Sequence, residues 1–162
     1  MIIIEMILMG IFATYFMDFL AGFLNKKKLI HSFIEPEAIG RWFLSMFRGK
    51  FIHKDIYKTP AFNNEKLWCF ISHYLIGIVL AGIYLFLELK EPAIRDQMWV
   101  SLIFGITTVI FPWFWMFPGI GLGFLASKSP NQSRIIRTNL VNHTNYGLGL
   151  FIWIVSFHRF FI

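Results

Sequence analysis

The stretch LWCFISHYLIGIVLAGIYLFL, Leu67–Leu87, carries no formal charge from end to end, and its reading decides the class of fold. A helix needs about 20 mainly apolar residues to cross a hydrocarbon layer of about 30 Å. This run supplies them, and three others resemble it: about 2–24, 98–125 and 140–157. Hydrophobic residues make up 57% of the chain and charged ones only 15%, a balance outside the usual range of soluble domains. The sequence predicts an all-α integral membrane bundle of four transmembrane helices. They form one domain over residues 1–162, with membrane lipids as its partners.

Charge between the runs orients them. Loop one, Asn25–Lys66, holds nine Lys or Arg, and the third loop adds Lys128, Arg134 and Arg137. The opposite side has only Lys90, Arg95 and Arg159. Cytoplasmic loops carry the excess of Lys and Arg, so both termini are expected on the outer, periplasmic side. The first run does not read as a signal peptide, because Glu5 is the only charge near its start and Lys26, Lys27 and Lys28 follow it. The net charge of +6 lies in connections between spans and is not interleaved on a soluble domain, so no nucleic-acid partner is expected. Cys69 is the single cysteine, which rules out a disulfide within the chain and a cysteine metal cluster.

Loop one has a pattern of its own. Within EPEAIGRWFLSMFRGKF, Ile39, Trp42, Phe43, Met46 and Phe47 recur at the spacing of one helix face. Pro36 suits a first turn and Gly49 a stop. The expectation is an amphipathic interfacial helix over about 36–48, its aromatics in the headgroup layer and Arg41, Ser45 and Arg48 on the other side. It either anchors the loop to an anionic leaflet or delivers Arg41 to a site at the membrane surface.

Ionisable groups inside a span are costly and tend to mark function. Asp18, His73 and His143 each fall within an apolar run, and with the orientation above all three lie roughly 10 Å below the cytosolic interface. The third run reaches the same layer with VIFPWFWMFPGIGLG, Val109–Gly123. Pro112 and Pro118 each remove a backbone donor and free carbonyls that lipid cannot satisfy. Gly119, Gly121 and Gly123 permit close approach of a helix or a ligand.

Three functions fit this layer. Asp18 and the histidines could be glue in a non-catalytic interaction or assembly protein, with Gly119 and Gly123 as a small-residue packing face that also allows homo-oligomers. They could pass a proton or an ion beside a broken helix, or handle a lipid headgroup. Or they could form a metal-dependent site for a lipid or isoprenoid, with Asp18, His73 and His143 as ligands and His53 and Arg41 reaching in from loop one. No local ligand spacing supports the last reading.

Weaker signals surround these. Asn139, Asn142 and His143 share one side of the fourth run, and Thr107 and Thr108 can bond to their own helix. GIGLG lacks the strand that a dinucleotide site requires. His158 and the closing aromatics read as an outer interface belt.

The order GRW, RGKFIH, HYLIG, FGITTVIFPWFWMFPGIGLGFLAS and NHTNYGLGL resembles a family of small bacterial inner-membrane proteins, domain of unknown function 2938, over nearly the whole chain. The resemblance singles out Gly40, Arg41, Trp42, His53, Glu65 and His73 in the first half. In the second it singles out Gly105, Thr108, Pro112, Pro118, Gly121, His143 and Gly147. Phe117 stands where the family pattern has a glutamine. The resemblance implies a bacterial inner membrane and four spans, and it brings no activity or cofactor.

Overall fold

The computed structural model describes residues 1–161 and contains helices and connecting turns, with no strand among the described residues. The principal helices are α1 (Ile2–Lys26), α2 (Pro36–Met46), α3 (Glu65–Lys90), α4 (Met98–Thr107), α5 (Phe117–Ile120) and α6 (Gln132–Phe157). Three helical stretches are long and apolar enough to cross a membrane: Ile2–Lys26, Glu65–Lys90 and Met98–Ile120. The fourth expected span, α6, is 26 residues long, but its first half carries Arg134, Arg137, Asn139, Asn142 and His143, and it is not among those three.

Small residues set the crossings. α1 packs against both α3 and α6, and α6 packs also against α4. A methyl group placed on Gly10 would overlap the backbone of Ile78, and one on Gly149 would meet the Cα of Ala13 at 2.9 Å. Gly105 and Gly147 bring α4 and α6 together in the same way. The centre is filled by Met9, Ala13, Leu80, Tyr84, Leu150 and Ile154. Large apolar side chains such as Phe19, Phe23, Leu75, Phe86 and Trp99 point away from it and are exposed. So continuous an apolar exterior is the reverse of a soluble protein's surface and suits hydrocarbon.

The break in the third run has a specific form. Met98–Ile120 is continuous as a helical path, but Pro112–Met116 is a π turn in which Phe117 N–H donates to Pro112 C=O, five residues back. The wider turn accommodates a proline that offers no donor of its own. The helix then stops at Ile120, short of the expected residue 125. Gly121 takes φ +97°, and Leu122 N–H donates to Phe117 C=O at 2.8 Å, the Schellman closure that a glycine makes cheaply.

α2 forms where expected, with a different face inward. Ala38, Gly40, Trp42 and Ser45 are buried, whereas Phe47 is exposed. Arg41, assigned to the polar side, is only 14% exposed because Glu65 of α3 receives it. The helix can approach α3 this closely because Gly40 has no side chain: a Cβ there would collide with the Glu65 carbonyl.

Candidate functional site

Arg41 is held on every side. Its Nε and Nη2 donate to the two Glu65 carboxylate oxygens at 2.7 and 2.9 Å, and Nη1 donates to the carbonyls of Ile56 and Thr59 at 3.2 and 3.1 Å. Phe62 N–H adds a further bond to Glu65 Oε1 at 2.8 Å. Hydrogen bonding to Glu65 raises the Arg41 pKa further above its ordinary value, so the guanidinium stays charged. With four of its five N–H donors committed, Arg41 organises loop one and has a single N–H left over.

Loop one also closes the broken end of the third run. Gly119 C=O, an orphan at a helix end, accepts from His53 N–H at 2.9 Å and lies 3.1 Å from His53 Nδ1. Trp42 Nε1 donates to Phe51 C=O at 2.9 Å, and its indole sits where a Gly119 side chain would be. Gly121 lies against the Lys54 carbonyl, so both glycines serve close backbone approach. His53 is 3% exposed, and its Nε2 has no partner among the described residues. Gly119 and Gly121 therefore receive a segment of the chain itself.

Asp18 and His73 do meet. His73 Nε2 lies 3.2 Å from Asp18 Oδ1, between α1 and α3, with side chains 41% and 38% exposed. Asp18 stands about two turns before the end of α1, and His73 about two turns into α3. His143 is within electrostatic reach of His73, but its Nδ1 is bonded to Thr108 Oγ1 at 2.6 Å. Thr108 in turn donates to Gly105 C=O at 2.6 Å, so this chain of bonds serves the α4–α6 crossing. Among the described residues, no three His, Cys, Asp or Glu are placed to share a metal ion. The sequence-predicted residues thus fall into a loop-one clamp (Arg41, His53), a hydrogen-bonded pair (Asp18, His73) and a crossing (His143).

Beside the π turn, a groove of about 150 Å³ is lined by His31, Ser32, Met116, Thr138, Asn139 and Asn142, among others. The Asn139 and Asn142 side-chain oxygens have no partner among the described residues. Phe117, which also borders it, is fully buried with Ala126 and Ile135, so the position departing from the family pattern is apolar core.

The far end of the bundle holds a site that the sequence reading missed. His158, expected in an aromatic belt, is 6% exposed, and its Nδ1 bonds Glu5 Oε1 at 2.5 Å. Glu88, at the end of α3, is 1% exposed. The signal was present: Glu5 lies within one apolar run and Glu88 directly follows another, where an acid needs a partner as much as Asp18 does.

A family model described as "Protein of unknown function (DUF2938)" matches residues 7–156. No curated protein and no solved structure matches the chain.

Proposed function

We propose that this chain, which belongs to the DUF2938 family, is a four-span protein of the bacterial inner membrane that takes up and releases a proton at the Asp18–His73 pair. In this reading α6 is the fourth span, supported by its packing in the bundle against α1 and α4. In the same reading α2 lies at the cytosolic interface and both termini lie outside, an orientation supported by the excess of Lys and Arg in loop one.

The observation that carries the reading is the half-exposed Asp18–His73 hydrogen-bonded pair, 3.2 Å across, on otherwise apolar helices. Hydrocarbon does not tolerate such a pair, so its open side faces water or a polar ligand. Two groups one hydrogen bond apart share a proton, and either can pass it on as the other's charge changes. A lipid phosphate is less well served, because four of the five Arg41 N–H donors are taken by Glu65 and loop one.

Proteoliposomes holding a pH dye test this directly. Under a potassium diffusion potential, the wild-type protein is expected to pass protons several-fold faster than protein-free vesicles, and Asp18→Asn to fall to their rate. Equal rates for wild-type and empty vesicles would refute the proposal. A second reading, in which the polar groups only join helices, has support in Tyr146 Oη donating to Gly77 C=O at 2.7 Å. It expects no flux from either protein and a loss of about 0.6–1.7 kcal/mol of stability in Asp18→Asn.

A further inference from the structure

Away from loop one, the bundle encloses a cavity of about 190 Å³ whose walls include Glu5, Glu88, Arg95, His158, Leu85 and Phe161. Its polar groups come from four parts of the chain: the start of α1, the end of α3, the turn after it and the residue following α6. The unusual member is Glu88. It is 1% exposed, and neither carboxylate oxygen has a hydrogen-bond partner among the described residues. A buried carboxylate left in that state is costly, so the group calls for donors from inside the cavity.

The remaining walls say which donors. His158 Nδ1 bonds Glu5 Oε1 at 2.5 Å, so these two groups engage each other and not Glu88. The two Glu88 oxygens stay open as acceptors. An ammonium group, with three donors, can serve both. Arg95 faces the same space with an unpartnered Nε, yet forms no ion pair with Glu88 among the described residues. The cavity therefore holds an open carboxylate and a guanidinium that do not satisfy each other.

We propose that this cavity binds a small zwitterion of amino-acid size, its ammonium group held by Glu88 and its carboxylate by Arg95. The volume has room for roughly six waters or more, which suits such a molecule and is too small for a typical drug-sized ligand. A metal ion fits less well, since no three donors converge on one point among the described residues. Leu85 and Phe161 give the ligand an apolar wall, which strengthens the charge pairing by excluding water.

Equilibrium dialysis of the full chain in detergent, with labelled glycine, methylammonium and acetate as probes, tests the site. Glycine is expected to bind saturably at one per chain, methylammonium more weakly, and acetate not measurably. Glu88→Gln keeps the shape of the side chain and is expected to weaken glycine binding on the order of tenfold or more. Arg95→Gln is expected to remove the preference for glycine over methylammonium, and it serves as the deciding variant if Glu88→Gln does not fold. Failure of wild-type protein to bind glycine at millimolar concentration overturns the proposal, as does glycine binding unchanged in both variants. This experiment and the proton-flux measurement address opposite ends of the bundle, so either can fail alone.

Discussion

Arg41→Ala is expected to destabilise the protein by about 3–5 kcal/mol, the usual cost of removing one member of a buried ion pair. The loss has several sources. Glu65, 6% exposed, would keep its charge with only the Phe62 N–H left to bond it, and the carbonyls of Ile56 and Thr59 would lose their donor. Arg41→Lys is expected to recover little, because an ammonium cannot span a carboxylate and two carbonyls in the geometry of a guanidinium. Denaturant titration in detergent measures the effect. The double variant with Glu65→Gln should lose less than the two single variants added together, by about 0.5–3 kcal/mol. A fully additive cycle would show that the clamp does not act as a unit.

Gly147→Leu is expected to cost at least about 3 kcal/mol and to part α4 from α6. A Cβ at this position would strike the Ser101 carbonyl and lie 3.1 Å from the Cα of Leu102. Backbone cannot rotate aside as a side chain can, so the helices must separate. That movement would also pull His143 from Thr108, which are joined at 2.6 Å across the same crossing. Gly22→Ala provides the contrast, since nothing lies within 4 Å of its added carbon. There the better helix propensity of alanine should raise stability by up to about 1 kcal/mol. Thermal unfolding of the two variants beside wild type separates the cases, and equal midpoints would remove the close crossing as a source of stability.

The apolar runs made the helices legible, because a bilayer's thickness imposes a minimum length that composition cannot hide. Depth counting brought Asp18 and His73 to one level, and their side chains do lie within a hydrogen bond. It could not show that His143 bonds to Thr108, since the rotation of one helix against another is set by Gly105 and Gly147 packing and not by depth. The face of α2 was misread for a related reason. Periodicity sorts residues by polarity, but Arg41 turns inward because its partner waits 24 residues further along. His158 was hidden more completely, with its partner Glu5 lying 153 residues away and surrounded by apolar sequence. The prolines announced a break in the third run. That backbone from loop one would fill it left no trace, because His53 N–H and Gly119 C=O are groups that most residues possess.

The π turn also acts as a phase shift. Each residue of an α-helix advances the side chains by about 100° around the axis, so one extra residue in a turn resets the azimuth of everything after it. Within the turn, Phe114 and Trp115 look outward at 51% exposure each, and just beyond it Phe117 and Ile120 are 0% and 3% exposed. The chain thus keeps a single helical path while the wider turn brings Phe117 back to the buried side of Pro112, five residues earlier. The glycines that meet loop one owe their heading to that one inserted residue.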